Sequence, residues 1–298
     1  MRLLERIRTL SFPSFKVKRT KNYLALQVGK SFIRLLELGG DGKPIFQPQE
    51  IVFENGNENK KLSALKKIVA EYGLQGHRVI AVLPATDGIL KLYKYPSKIS
   101  QKDLDSAIEW RIKSELTQIK EDAAYDYFIL RGEDAISVAL VLARAESVNR
   151  LTNLISSAGL KPEIIDYEVL AIVNYGIYHK LALPFSILYI DYDYSILLTY
   201  SPSNISYSVI HWDYLGYSKK AGSSSTSEEL LESFLAEVRN LIVINDIFNV
   251  YIAGVILSNQ SFLDYMLENL PILGLLDAGE LPPNFFIPYT LSLREGSK

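Results

Sequence analysis

Two stretches of the chain carry the same order of elements: three strands, a helix and a further strand. This duplication limits the fold more than anything else in the sequence. In the first stretch, "YLALQV" at 23–28 and "SFIRLLEL" at 31–38 are apolar runs joined by Gly29-Lys30, and "GGDGKP" at 39–44 is a turn. "IFQPQEIVF" returns as a third strand, near a sheet edge because Pro48 has no N–H for an inner ladder. "NKKLSALKKIVAEYG" puts Leu62, Leu65, Ile68, Val69 and Tyr72 on one helical face and stops at Gly73, and "RVIAVLP" at 78–84 follows as a buried strand. In the second stretch, "FSILYID", "YSILLTYS" and "SYSVIHWD" form another meander. The polar "KKAGSSSTS" at 219–227 reads as a flexible linker, helix 227–245 has one strongly apolar face, and strand 248–253 leads through Gly254 to a helix around 259–269.

Between the two repeats the sequence predicts an inserted α+β unit over 87–165. "LKLYKYP" is a strand, and "SQKDLDSAIEWRIKSEL" is a helix with Ser100 as N-cap and Asp103 at its third position. "AYDYFILR" and "ISVALVLA" are two strands joined by "GEDA"; "AESVNRLTNLISSAG" is a helix closed by Gly159, and "KPEIIDYE" is extended. A helix at 168–179 precedes the second meander.

Composition excludes several chemistries. A formal net charge of −2 argues against a nucleic-acid binder that works through bulk positive charge. With no Cys there is no disulfide, thiol nucleophile or cysteine metal site, and His77, His179 and His211 lack metal-ligand spacing. Paired acids such as Asp103/Asp105 and Glu228/Glu229 read as solvated helix faces, and Ser223–Ser225 have no His near them in sequence. The basic start "MRLLERIRTL" lacks the apolar region of a signal peptide, and no apolar run reaches the roughly 20 residues of a membrane span, so a soluble intracellular chain is expected. Residues 1–21 carry seven Lys or Arg against one Glu, +6, leaving −8 for the rest; Leu3, Leu4, Ile7 and Leu10 fall at helical spacing. That segment reads either as a solvated tail or as a short amphipathic helix making peripheral membrane contact.

The duplicated plan is that of the actin-like (ribonuclease H-like) α/β fold. "LALQVGKSFIRLLEL", "VIAVLP", "LYKYPSKISQKDLDSAIEWRIKSEL", "YDYFIL", "VALVLARAESVNRLTNLISSAGLKPEIIDYEVLAI" and "PNFFIPYTLSLRE" together, in this order, resemble PilM, the actin-like protein of type IV pilus assembly. FtsA-like cell-division proteins and the cytoplasmic part of the secretion protein GspL share that architecture. The resemblance implies a basic tail at 1–21, a first domain (1A) from 22–86 and 166–185, a 1C-type insert at 87–165, and a second domain (2A) at 186–298 with its 2B subdomain largely missing. It also implies a cytoplasmic scaffold of a pilus, type II secretion or DNA-uptake platform. Its partner would be the N-terminal tail of a bitopic PilN-like membrane protein, held in a groove of the insert and first domain, with an assembly ATPase as a further partner.

An actin-like site needs backbone N–H groups at a glycine turn for phosphate and an acid that holds Mg²⁺ through water. Here Gly29, Lys30 and Ser31 keep the glycine and a hydroxyl, but Gln27 replaces the acid. The second turn keeps Asp191, yet Tyr192 and Tyr194 add bulk and Asp193 adds charge that repels phosphate. The adenosine turn is Ala253-Gly254, with one glycine where two are usual. The expectation is therefore a pseudo-ATPase with no catalytic residue, no metal and no cofactor, with Mg-ATP as the ligand of the alternative. That alternative is a nucleotide-switched ATPase or an FtsA-like polymerising protein. Tyr189, Tyr192, Tyr194, Tyr200 and Tyr207 are expected as half-buried sheet residues, some of them on a partner surface.

Overall fold

The computed structural model describes residues 23–293 apart from 55, 120–121, 133–134 and 221–224, with the backbone alone at 219–220 and 225–228. The basic segment 1–21 lies outside the described residues. The first repeat forms β1 (Leu24–Val28), β2 (Phe32–Glu37), β3 (Gln49–Val52), α1 (Glu58–Glu71) and β4 (Arg78–Leu83). β1 and β2 pair antiparallel with Gln27 opposite Arg34, and β3 is the edge strand that Pro48 anticipates. Asn57 caps α1 by accepting the Lys60 amide, which fixes where the crossover helix begins.

The insertion contributes β5 (Gly88–Pro96), α2 (Gln101–Gln118), β6 (Ala123–Arg131) and β7 (Ala135–Arg144), with β7 central in a three-stranded antiparallel sheet. Ser100 caps α2 at the Asp103 amide, as the sequence predicts. Alternation along β7 separates two faces. Ile136, Val138, Leu140 and Leu142 meet Leu104, Ile108 and Ile112 of α2. Ala139 and Val141 face the main core instead, and Ser137 donates across to the carbonyl of Ser203 at 2.8 Å.

Next come α3 (Ala145–Ser157), β8 (Lys161–Tyr167) and α4 (Glu168–Tyr178). Here the packing differs from the expected grouping. β8 pairs parallel with β4 and completes the first sheet in the order β3-β2-β1-β4-β8. Leu151, Leu154 and Ile155 of α3 pack with Leu24, Leu26 and Leu65. Residues 145–165 thus belong by hydrogen bonding and packing to the first sheet, because "EIIDY" finds its ladder partner in β4 and none in the insertion.

The second repeat forms β9 (Phe185–Ile190), β10 (Ser195–Ser201), β11 (Asn204–Ile210), α5 (Tyr214–Lys220), α6 (Ser225–Ile244), β12 (Val250–Gly254), α7 (Gln260–Asn269) and β13 (Ile272–Leu276). Its order, β11-β10-β9-β12-β13, repeats that of the first sheet strand for strand. Helix α5 occupies part of the expected flexible linker. Trp212, Tyr214 and Tyr217 pack on Phe234 and Phe262, with the Trp212 and Phe234 rings 4.5 Å apart, and this aromatic burial holds the turn of helix. The last helix, α8 (Phe286–Ser292), leaves the second repeat and packs with α4 against the first sheet.

One continuous core joins the two halves: Ala25, Leu36 and Ile80 lie in the same apolar cluster as Ile187, Ile196 and Leu198, with α4 and α8 between. No helix among the described residues is long and apolar enough to cross a membrane.

Candidate functional site

The C-terminal ends of β1 and β9 face each other across the cleft between the halves, and the turns that follow them bring most of the sequence-predicted site residues together. β1 ends at Val28, and the Gly29 amide donates to the Phe32 carbonyl at 3.0 Å to close the turn into β2. Glycine is required there, since a Cβ on Gly29 would fall 2.2 Å from the Phe32 ring. β9 ends at Ile190, and Asp191 closes its own turn by donating its amide to the carbonyl of Tyr194 at 3.1 Å. On the neighbouring strand Ala253 is buried, while Gly254 takes φ 97° and lies so close to the Ile190 carbonyl that a Cβ would sit 2.1 Å from that oxygen.

At the centre lies Arg34, fully buried, which the sequence reading did not single out. Its Nη1 and Nη2 donate to the two carboxylate oxygens of Asp191 at 2.7 and 2.8 Å, Nε donates to Glu50 at 2.7 Å, and Nη1 also reaches Gln27 Oε1 at 3.0 Å. Its planar group lies 3.9 Å from the centre of the Phe32 ring and 4.8 Å from that of Tyr192. Burial opposes the charge, but the Asp191 carboxylate outweighs it, so the guanidinium is held well above its ordinary pKa and stays charged.

Gln27 is the hub beside it. Its Oε1 accepts from Arg34, and its Nε2 donates to Asp191 at 3.1 Å and to Glu168 at 3.2 Å. An acid at this position would face two buried carboxylates, whereas an amide can accept from the cation and donate to the anions together. Glu168, the first residue of α4, also accepts the Ala85 amide at 3.0 Å and the Tyr194 hydroxyl. Burial pushes its carboxyl up to about 7, and its hydrogen bonds to Tyr194, Ala85 and Gln27 oppose that rise only in part. Tyr189 donates its hydroxyl to Asp191, and burial together with that carboxylate raises its phenol well above the ordinary value.

Asp193 reaches across the cleft to the first turn. Its Oδ2 accepts the backbone amides of Lys30 at 2.6 Å and Ser31 at 3.2 Å, and its Oδ1 accepts the Ser31 hydroxyl at 2.5 Å. The Lys30 side chain is exposed; its amide is what joins the site. Of the tyrosines expected as half-buried sheet residues, several lie within and behind this cleft. Tyr189 is buried, Tyr192 packs on Phe32 and Arg34, Tyr194 bonds Glu168, and Tyr207 bonds Tyr167 at 2.8 Å.

Mg-ATP does not fit these residues. Both oxygens of Asp191 are engaged by a guanidinium, which would repel a divalent cation, and the amides of the glycine turn already hold a carboxylate. Among the described residues no three His, Asp or Glu side chains are grouped to hold a metal.

Residues 45–187 match the family model described as "Type IV pilus assembly protein PilM". Over that span the chain is similar to the PilM family. No curated protein matches it in sequence. Among solved structures, the chain superposes on one described as "PilM-PilN type IV pilus biogenesis complex" with a TM-score of 0.72 at 15% identity, covering 93% of this chain and 99% of that one. A Bacteroides thetaiotaomicron protein with an actin-like ATPase fold and unknown function gives 0.53 at 8% identity, over 93% of this chain and 99% of that one. The cytoplasmic domain of EpsL, an inner-membrane component of the type II secretion system of Vibrio cholerae, gives 0.52 at 12% identity, over 92% and 94%. The fold of the chain is thus the actin-like α/β fold with the β-β-β-α-β unit duplicated.

A second concave feature lies outside the cleft. A groove of about 780 Å³ runs between α1 and α3 at the base of the insertion, lined among others by Asn59, Leu62, Arg144, Asn149, Arg150 and Asn153.

Proposed function

We propose that this chain is a non-catalytic cytoplasmic scaffold that holds the N-terminal tail of a bitopic, PilN-like membrane protein beneath a pilus, secretion or DNA-uptake assembly. The observation that carries the reading is the closed cleft, in which Arg34, Gln27, Asp191 and Asp193 use on one another the groups that a nucleotide would need. The peptide is assigned to the groove between α1 and α3. It is large enough for several side chains, and its Asn side chains can pair with an extended backbone. In this reading 23–87, 145–184 and 283–293 form a 1A-type subdomain, 88–144 a 1C-type insertion and 185–282 the second lobe, with α5 all that stands for 2B. The degenerate turns at Gln27, Gly29–Ser31, Asp191, Asp193 and Ala253-Gly254 serve to join the lobes. Membrane association follows through the partner.

Fluorescence anisotropy with the labelled cytoplasmic tail of a bitopic protein encoded beside this chain tests the assignment. Saturable binding in the micromolar range is expected, weakened at least about tenfold by Asn153→Trp, which fills the groove from an exposed helix position. No binding at several hundred micromolar refutes it.

A further inference from the structure

Loss of a nucleotide site can come from losing the phosphate cradle or from filling it, and here the two can be told apart. The Gly29–Ser31 turn aims three donors at one anion: the Lys30 amide, the Ser31 amide and the Ser31 hydroxyl converge on the carboxylate of Asp193. The Gly29 amide is spent on closing the turn, so the donors are held in place by the backbone before any ligand arrives. The charge of Asp193 is also felt by a buried lysine. Lys61 on α1 is 7% exposed, lies within electrostatic reach of Asp193 and Glu58, and comes from a helix whose start is fixed by Asn57. Two amides and a hydroxyl converging on one carboxylate make an oxyanion site.

We infer that the Gly29–Ser31 turn is an intact oxyanion cradle whose resident ligand is the chain's own Asp193, and that this one side chain keeps inorganic phosphate out. Asp193 is carried by the second lobe, so it also acts as an internal latch. Opening the cleft would strip the cradle of its anion, and an outside anion could bind only by displacing a tethered carboxylate at very high effective concentration. The cleft is therefore closed by default and insensitive to phosphate compounds, whatever partner occupies the groove. The inference stands apart from the peptide proposal: a failed phosphate titration would leave peptide binding untouched, and the converse holds.

The test is thermal unfolding of the full chain in rising inorganic phosphate, against chloride at matched ionic strength, for wild type, Asp193→Ala and Asp193→Ala/Ser31→Ala. Wild type should show no phosphate-specific response. Asp193→Ala should show a saturable rise of at least about 2 °C in Tm, and the double variant should lose most of it. Should Asp193→Ala be only partly folded, phosphate is expected to restore its folded signal. A variant that neither rises nor is restored overturns the inference, as does an undiminished response in the double variant. Hydrogen exchange on the wild type gives a check without mutation. The Lys30 and Ser31 amides should exchange at least about tenfold more slowly than in Asp193→Asn, and equal rates would overturn the assignment.

Discussion

Replacing Arg34 by Met removes the cation from the middle of the cleft while keeping an unbranched apolar stem. Four hydrogen bonds are lost, two of them to Asp191, and the carboxylates of Asp191 and Glu50 are left without their countercharge. Removing one partner of a buried, hydrogen-bonded ion pair costs about 3–5 kcal/mol, because the remaining charge stays desolvated and unpaired. Arg34 is wholly buried and Asp191 nearly so, which places the loss at the middle of that range, about 4 kcal/mol. For a urea dependence of about 2 kcal/mol/M this lowers the midpoint by about 2 M. Asp191→Asn should cost a similar amount, and the double variant less than the sum by at least about 2 kcal/mol, since each single change orphans the same partner. Urea unfolding followed by far-ultraviolet dichroism measures all three. A loss below about 1 kcal/mol for Arg34→Met, the range of an exposed pair, would refute the view that this network closes the cleft.

The remaining predictions concern neighbours of that network. Glu168 has its folded pKa raised to about 7, so between the unfolded value of about 4.3 and 7 the native chain holds a proton that the unfolded chain has lost. Stability contributed by this group is therefore fully present below about pH 4 and declines as pH rises through 7, by about 4 kcal/mol in all. Glu168→Gln should remove that decline between pH 5 and 8, and an unchanged slope in urea unfolding would contradict the assignment. Gly254→Ala should cost about 3 kcal/mol or more, because φ is 97° and the new Cβ would meet the Ile190 carbonyl, a backbone atom that cannot swing aside. A Tm within about 1 °C of wild type would show that β12 can move away from β9.

Much of the fold could be read because its elements carry local signals. Apolar runs of strand length, the Ser100 cap and the apolar face of α1 each specify their element without help from distant residues. The errors lie where long-range packing decides. "KPEIIDYE" looks the same whether it ends an insertion or joins a central sheet, and only pairing with β4 settles it. Helix α5 is not legible in the sequence because Tyr214 and Tyr217 pack on Phe262, which lies on α7. At the site, residue type and spacing single out Gln27, Asp191 and the glycine turns, and do not single out Arg34. A signal was present: one Arg within "FIRLLE", an otherwise apolar strand apart from its closing Glu37, must either face solvent or find a buried acid. Its acid lies 157 residues away in sequence, so the answer needed the fold. The charge of Asp193 speaks against phosphate from the sequence alone; that its carboxylate is bound by the Gly29–Ser31 turn needs the fold.

The central claim is that the cleft between the lobes is filled by the chain's own side chains. Thermal unfolding of the wild type with millimolar Mg-ATP tests it most directly, since a ligand at 100 times its Kd adds about 2.7 kcal/mol to the folded state. The account predicts a Tm unchanged from that in Mg-chloride at matched ionic strength. A saturable rise of several degrees would contradict it.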